Sequence, residues 1–214
     1  MSQGKICISW YVPILWTCTR FGLGDMKIDH LQGYIGDFVP QLDQMLAAIL
    51  FLMKEHPGIT QYQVVKSIFL ADKDHLNSYG RPITYDKYVA MQQGPVPSLT
   101  YDLLKPNGPF KALFKHDAPW SFSEDGKVRH YVAQRMYDAD VLSKTDIKAL
   151  RSALTLVLHS TPQFLSKILH EDAAYIEAWS KRGEAKSVRM RTVKLLTDED
   201  QELIDHLSYA TKIT

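Results

Sequence analysis

The sequence predicts an α+β domain that is mainly α, a compact helical domain with one small antiparallel β-sheet or hairpin. Apolar residues recur at three- and four-residue steps in several segments, which is the period of an amphipathic helix. The pair Asp125-Gly126 lies between two segments of strand-like composition, which is typical of a β-hairpin. With 214 residues, 45% of them hydrophobic, the chain can bury a substantial core.

Two helices are predicted near the start of this domain. The apolar face of the first is Leu42, Met45, Leu46, Ile49, Leu50 and Met53. Pro40 fits its first turn, and Pro57-Gly58 ends it. Thr60 and Gln63 then form a capping box for a second helix, which ends at Gly80. The face of the second helix is Val64, Val65, Ile68, Phe69 and Leu76. Helices joined by so short a turn are expected to pack side by side or to cross.

The middle of the chain predicts strands and a short helix. Residues 83–91 favour a strand, and Pro97 begins a short helix carrying Leu99, Leu103 and Leu104. The run Pro106-Asn107-Gly108-Pro109 breaks the chain. Residues 120–124 and 127–133 are expected to pair as a hairpin with a type I′ turn at Asp125-Gly126. On these strands Trp120 and Phe122 share one face, and Val128, His130 and Val132 share another.

Helices dominate the rest of the chain. Ser143 and Asp146 cap a helix whose inward face is Ile147, Leu150, Leu154, Val157 and Leu158. Thr161-Pro162 begins the next, with Phe164, Leu165, Ile168 and Leu169 expected to point inward. A further helical run ends at Trp179. Residues 181–194 hold six basic residues and one acidic residue and are interpreted as a solvated connector. Thr197 and Asp200 are expected to cap a last short helix.

Composition limits the classes of function. The net charge of +1 argues against a broad phosphate-binding surface. The two cysteines, Cys7 and Cys18, have no zinc or disulfide-scaffold spacing, and we expect no cofactor and no metal. The apolar run at 6–17 is shorter than the roughly 20 residues of a membrane span, so we expect no membrane partner and a cytoplasmic location.

The boundaries follow from the same segments. We interpret residues 1–25 as a non-native or disordered N-terminal extension before a start at Met26; a signal or anchor and a genuine extra element are the alternatives. Residues 26–180 are expected to form the main domain. Residues 181–214 are expected to form a basic connector and a C-terminal helix.

Segment 71–103 carries the most specific pattern in the chain. It contains A-D-x-x-H-L-x-x-Y-G-R-P-I-T, then Y-V-A-M-x-x-G-P-V-P, then Y-D-L. This order and spacing resembles the Panacea domain, the SocA-like antitoxin family of bacteria and phages, over roughly residues 42–179. Tyr85 departs from the family, in which a small residue, commonly Gly, is frequent at this position. The candidate partner-binding or family-motif residues are Asp72, His75, Tyr79, Gly80, Arg81, Pro82, Tyr88, Gly94, Pro95, Val96, Pro97, Tyr101, Asp102 and His170.

Asp72 is the sharpest anomaly among these residues, because helical spacing puts its carboxylate on the inward face. A buried carboxylate needs hydrogen bonds or a counter-charge, and His75, Tyr79 and Arg81 are the nearest candidates. The simplest interpretation is a structural cluster of polar groups that fixes the helix end against the strand. The alternatives are contact with a partner and a metal site formed by Asp72, His75 and either His170 or Asp172.

The second half of segment 71–103 is expected to provide a surface. Gly94-Pro95-Val96-Pro97 predicts a stiff connector that can also serve as a rigid, low-entropy contact rim. The tyrosines around it are either contact residues or edge residues of the core: Tyr79, Tyr85, Tyr88 and Tyr101. By resemblance to the family's downstream signature, His170 is expected to lie close to the Asp72–Arg81 region.

The resemblance implies an antitoxin that is not an enzyme and neutralises a cognate toxin, encoded next door, by protein contact. A proteolytic adaptor that delivers the toxin to a cytosolic protease is one alternative. A second is DNA binding, with residues 61–79 as a recognition helix or with the basic run near Arg189 as the contact. A third is a metal-dependent hydrolase that uses Asp72 and His170.

Overall fold

Helices and short strands alternate along residues 41–108 and 118–197, which are the residues that the computed structural model describes. The helices are α1 (Leu42–Glu55), α2 (Gln61–Tyr79), α3 (Ser98–Leu103), α4 (Lys144–His159), α5 (Pro162–His170) and α6 (Ala173–Ser180). The strands are β1 (Ile59–Thr60), β2 (Tyr88–Met91), β3 (Gly94–Pro97), β4 (Trp120–Asp125), β5 (Val128–Ala133) and β6 (Ser187–Arg189), followed by a 3₁₀ turn at Thr192–Leu195. The predicted class, mainly α with small antiparallel sheets, is confirmed.

Helix α2 is the central element, packed along α4 and against α1. Its predicted capping box is confirmed: the Gln63 amide donates to Thr60 Oγ1 at 3.2 Å, and the Thr60 amide donates to Gln63 Oε1 at 2.9 Å. Gly80 ends the helix in the left-handed region, with φ of 72°. Ser143 and Asp146 form the second predicted capping box, at the start of α4. These local signals position both helices whose ends meet at the candidate site.

Two three-stranded antiparallel sheets are present in the described part, where the sequence predicted one. The first has the order β1-β5-β4 and contains the predicted hairpin. Its turn lies at Gly126-Lys127, because Asp125 pairs with Val128, and of these two residues only Gly126 has positive φ. Positive φ at the first turn position alone indicates a type II′ turn rather than the expected type I′.

The second sheet, β3-β2-β6, was missed because two of its strands have unusual sequences. Pro95 and Pro97 cannot donate to a ladder, so the sequence predicts a stiff connector at 94–97 rather than a strand. As β3 it lies at the edge of the sheet, where proline is tolerated. The predicted strand at 83–91 is correspondingly shorter and begins at Tyr88.

The segment 181–194 is not a solvated connector throughout. Strand β6 within it pairs with β2, and Met190, which is 1% exposed, donates its amide to the Tyr88 carbonyl at 2.9 Å. The prediction failed because the strand has three residues, of which Ser187 and Arg189 are exposed. Residues 187–189 therefore complete the second sheet.

One predicted helix face is wrong in one position. Thr161 caps α5 and Pro162 lies in its first turn, as expected. Phe164, however, is 52% exposed, while Leu165 and Leu169 are buried. In so short a helix the inward stripe is narrow, so it holds the residues four apart and excludes Phe164.

Some expectations lie outside the described residues: those for residues 1–40, for Pro109 in the predicted break, and for Asp200 in the last cap. None of the helices in 41–108 and 118–197 is long and apolar enough to cross a membrane.

A core role for the 190 region predicts a large effect of Met190→Ala. Loss of a buried methionine side chain costs about 2–4 kcal/mol of the free energy of unfolding, measured by urea titration. Lys186→Ala, at an exposed position in the same segment, serves as the control and is expected to change it by less than about 0.5 kcal/mol. Equal effects of the two substitutions would contradict the assignment of Met190 to the core.

Candidate functional site

The Asp72 carboxylate is buried and ties α2 to the segment that precedes β2. Its Oδ1 accepts the backbone amides of Ile83 at 2.8 Å and Thr84 at 3.0 Å. Its Oδ2 accepts the hydroxyl of Thr84 and, at 2.6 Å, the phenol of Tyr88. Four donors on two oxygens satisfy this carboxylate without a counter-charge.

These contacts correct the expected partners of Asp72. His75, Tyr79 and Arg81 do not hold it; the donors come from the chain after the motif's proline. Burial raises the pKa of Asp72, while the hydrogen bonds from Thr84 and Tyr88 act to lower it. All the hydrogen bonds of this carboxylate go to other groups of the protein, so its role is structural: it holds α2 against residues 83–88.

Arg81 pairs instead with Asp146 at the start of α4. Its Nη2 lies 2.9 Å from Asp146 Oδ1 and 3.3 Å from Oδ2. His75 joins the cluster from α2: its Nδ1 donates to the Arg81 carbonyl at 2.8 Å, and its Nε2 lies 3.0 Å from Asp146 Oδ1. The left-handed turn at Gly80 reverses the chain, so the guanidinium meets α4 rather than Asp72. The sequence predicted Asp146 as a cap and missed this second role.

Asp86 is a buried carboxylate that the sequence analysis missed. It accepts the amides of Leu99 at 2.9 Å and Thr100 at 2.8 Å, and so caps α3 from outside the helix. Burial raises its pKa to about 6. Pro97 occupies the N-cap position and has no side-chain acceptor. The first amides of α3 therefore need an acceptor from elsewhere in the chain, and this need was the signal in the sequence for a residue such as Asp86.

Lys66 was also missed, because a helical lysine is normally solvated. It is 1% exposed, and its Nζ donates to the Pro95 carbonyl at 2.8 Å, joining α2 to β3. Burial lowers the pKa of its amine to about 7. The ring of Tyr62 lies 5.5 Å from Nζ, one turn earlier on the same helix.

The expected contact rim at 94–97 is wrong, because all four residues are buried. Gly94 does have the predicted positive φ, 93°, and a Cβ there would lie 3.4 Å from both Leu169 Cβ and Lys66 Nζ. Tyr88, which pairs with Pro97 from the neighbouring strand β2, is also buried, so it supports the surface rather than forming part of it. The close packing of α5 on β3 explains why this segment is covered.

His170 lies beside Gly94 rather than in contact with Asp72 or Arg81. Its ring stacks on Tyr175 at 4.7 Å between centroids, and Tyr175 stacks on Trp179 at 5.8 Å. The Nε2 of His170 has no hydrogen-bond partner among the described residues. Asp72 and His170 therefore do not form the proposed hydrolytic pair, and the part of the chain that the structure describes contains no cluster of three or more His, Cys, Asp or Glu suited to a metal.

The remaining motif residues differ in exposure: Pro82 is buried, whereas Tyr101 and Asp102 are partly buried. Tyr79 is 51% exposed, with its ring 4.6 Å from that of His75. Pro82 accepts a bond from Arg81 at 3.2 Å through its carbonyl. Asp102 pairs with Lys105 at 2.6 Å, and the Lys105 ammonium lies 4.2 Å from the centre of the Tyr101 ring. Of the predicted tyrosines, Tyr79 is exposed, Tyr85 and Tyr101 are partly buried, and Tyr88 is buried.

Two concave surfaces flank the Gln92-Gln93 turn between β2 and β3. The Lys66 groove, about 630 Å³, is lined by Thr60, Gln61, Tyr62, Val65, Lys66, Met91, Gln92, Gln93, Val96, Tyr101, Lys127, Val128 and Arg129. The Trp179 groove, about 940 Å³, is lined by Met91, Gln92, His170, Tyr175, Ile176, Trp179, Ser180, Arg182, Ala185 and Lys186. Both grooves share Met91 and Gln92, so the hairpin tip separates two neighbouring concavities with aromatic walls.

Among residues 41–108 and 118–197, Tyr85 is the non-glycine residue with a positive φ, at 54°. A left-handed conformation is costly for a bulky side chain and free of that cost for glycine. The position at which the resemblance led us to expect a small residue thus has the left-handed backbone that favours glycine, with a tyrosine in it.

Comparison with protein-family models gives one match, described as "Antitoxin SocA-like, Panacea domain", over residues 64–180. This range is more than half of the 214 residues and includes Asp72, Arg81, Asp146 and most of both grooves. Neither the comparison with curated proteins nor that with solved structures gave a match.

The hydrogen bonds to the Asp72 carboxylate predict that Asp72→Asn is strongly destabilising. The asparagine NH₂ would face the hydroxyls of Thr84 and Tyr88, which now donate, so the free energy of unfolding is expected to fall by about 2–4 kcal/mol. Tyr88→Phe removes one donor and is expected to cost about 1–2 kcal/mol. Urea unfolding measures the loss of stability in both variants. An Asp72→Asn variant as stable as the natural chain would refute the structural role of the Asp72 carboxylate.

Burial of Lys66 predicts a specific dependence of stability on pH. Its folded pKa of about 7 lies below the ordinary lysine pKa of 10.5, so between these values the unfolded chain binds more protons and stability rises with pH. Relative to Lys66→Met, the natural chain is expected to gain about 2–4 kcal/mol between pH 7 and pH 10.

The matched control for this measurement is Lys148→Met, at an exposed position on α4. Its difference from the natural chain is expected to stay constant over the same pH range. Parallel pH profiles for the natural chain and Lys66→Met would show that Lys66 is not buried as a neutral amine.

Proposed function

The chain belongs to the SocA-like Panacea domain family of antitoxins, and on this premise we propose that it neutralises a cognate toxin by direct protein contact. We further propose that the toxin binds across the Lys66 and Trp179 grooves, on both sides of the Gln92-Gln93 turn. Membership of this family suggests a non-enzymatic role. The observation that carries the choice of surface is the meeting of two aromatic-walled concavities at one rigid hairpin tip.

The walls of the grooves have the composition of protein-binding surfaces. Tyr62 and Tyr101 line one groove, and Tyr175 and Trp179 line the other. Tyrosine and tryptophan dominate binding hot spots because they bury much area at a small cost in side-chain entropy.

The hairpin that separates the grooves is fixed from beneath. Asp72 holds Tyr88 at the start of β2, and Lys66 holds Pro95 in β3. Asp86 fixes the start of α3, which directly follows β3. A surface held in one conformation before binding loses little entropy on binding, which favours affinity.

Helix α2 does not have the features of a DNA recognition helix. Its exposed residues are Asp74, Ser78 and Tyr79, which carry no positive charge. Its two lysines are Lys66, which is buried, and Lys73, whose Nζ lies 2.5 Å from Asp172. Phosphate contacts require accessible cations, so this geometry favours the protein partner.

The proposal predicts rescue and co-purification. The product of the neighbouring open reading frame is expected to arrest growth alone, to be tolerated when this chain is co-expressed, and to co-purify with it. A toxin that is rescued but never bound would contradict direct neutralisation. Rescue that is lost in a host without its cytosolic proteases would identify the chain as a proteolytic adaptor instead.

The choice of surface predicts the effect of Gln92→Trp. Gln92 is exposed and lines both grooves, so a bulky ring there is expected to weaken toxin binding at least tenfold while leaving stability within about 0.5 kcal/mol. The control is Gln163→Trp, at an exposed position on α5 outside both grooves. Equal affinity of the two variants would place the binding surface elsewhere.

A further inference from the structure

The amine of Lys66 is buried, and its partner among the described residues is a backbone carbonyl. An ammonium has three N–H donors, and the bond to Pro95 at 2.8 Å uses one of them. By contrast, Lys73 and Arg81 each pair with a buried carboxylate, Asp172 and Asp146. Within residues 41–108 and 118–197, no carboxylate lies at ion-pair distance from Lys66, which leaves its charge to be matched from the groove that it lines.

The lining of the Lys66 groove is basic. It contains Lys66, Lys127 and Arg129 and no acidic residue. Glu124, which pairs with Arg129 at 2.8 Å, belongs to the exposed hairpin and not to the lining. Helix α2 begins at this groove, and the positive end of its dipole adds to the same potential. The field in the groove therefore favours an anion.

Keeping an amine at this position has a cost. Burial lowers the pKa of Lys66 to about 7, so the fold disfavours the charged form. A methionine of similar length would avoid this cost, as apolar replacements of buried charges commonly do. A carboxylate in the groove would offset it, because the pair would share the low-dielectric site.

The neutral lining of the groove suits a polypeptide. The amides of Gln61, Gln92 and Gln93 can each donate and accept, which matches the alternating donors and acceptors of a peptide backbone. The rings of Tyr62 and Tyr101 offer apolar walls for a methylene stem. A single compact lysine ammonium matches one carboxylate, whereas phosphate sites usually combine several backbone amides or arginines.

We propose that the Lys66 groove receives an acidic side chain, Asp or Glu, from an exposed segment of the toxin, and that the Lys66 ammonium is its counter-charge. This inference rests on the proposed function and adds to it the chemistry of the anchoring contact. The Trp179 groove would then contact the apolar residues that flank this anchor.

The first test measures the affinity of the full-length chain for the co-purified product of the neighbouring open reading frame. Lys66→Met keeps the length of the side chain and removes its charge, and it is expected to weaken binding at least tenfold. Lys148→Met, at an exposed position away from the groove, is expected to bind unchanged. On the toxin, Asp→Asn and Glu→Gln substitutions are expected to identify one position whose loss is not additive with Lys66→Met.

The second test measures proton uptake, which a purely structural lysine would not produce. At pH 8 the free Lys66 amine is largely neutral, and pairing with a carboxylate raises its pKa, so binding is expected to take up as much as about one proton. Calorimetry in two buffers of different ionisation enthalpy measures this uptake, which Lys66→Met should abolish. The other titratable groups around this site are Tyr62, Tyr101, Lys127, Arg129, Glu124 and His170. Lys148→Met, at an exposed position outside both grooves, is expected to retain the uptake.

The outcomes separate this inference from the proposed function. Toxin that binds the natural chain and Lys66→Met equally, with no proton uptake, would overturn the carboxylate anchor and leave the antitoxin role intact. A neighbouring product that does not bind the natural chain would overturn the proposed function and this inference together. Salt-sensitive binding of a 20-base-pair DNA duplex that Lys66→Met abolishes, with toxin binding unchanged, would assign the groove to nucleic acid instead.

Discussion

The burial of the Asp72 carboxylate is the constraint on which the arrangement around α2 depends. Burying an ionised carboxylate without partners costs several kcal/mol, so the chain must bring donors to it. Those donors are the amides of Ile83 and Thr84 and the hydroxyls of Thr84 and Tyr88. Residues 83 and 84 consequently cannot join a strand ladder, and β2 begins at Tyr88. The position of the hairpin, and of the grooves on either side of it, follows from where this carboxylate is satisfied.

Two further buried carboxylates, Asp146 and Asp86, also have partners within the protein, and these partners differ from those of Asp72. Asp146 pairs with Arg81, lies beside His75 and closes the C-terminal end of α2 against α4, whereas Asp86 accepts backbone amides, those of Lys87, Leu99 and Thr100. Neighbouring negative charge from Asp72 adds to burial in raising the pKa of Asp86. Separate donor sets keep the like charges apart, because a shared site would force one of them to bind a proton.

Local signals predicted more of this structure than long-range ones. The capping boxes at Thr60 and Ser143 and the turn near Gly126 are read from residues within four positions of each other, and all three are present. The inward position of Asp72 also follows from helical spacing. Its partners do not, because the choice between Arg81 and Thr84 depends on how the chain turns after Gly80. Pro95 and Lys66 mislead for the same reason. A proline fits an edge strand and a lysine fits a core only with suitable tertiary neighbours, and the sequence does not show which residues these neighbours are.

The placement of Lys66 connects this internal framework to the surface. Its bond to Pro95 supplies a donor contact to a strand whose two prolines have no amide hydrogens, so the lysine helps to fix β3 on α2. The same side chain lines the groove, and its position is therefore set by the fold rather than by solvent. A cation held in this way approaches a partner's carboxylate without losing the side-chain entropy that an exposed lysine would lose, which is the condition under which one charge pair contributes most to affinity. Within the described residues, the framework that satisfies the buried carboxylates thus leaves one buried amine at the groove without a carboxylate partner.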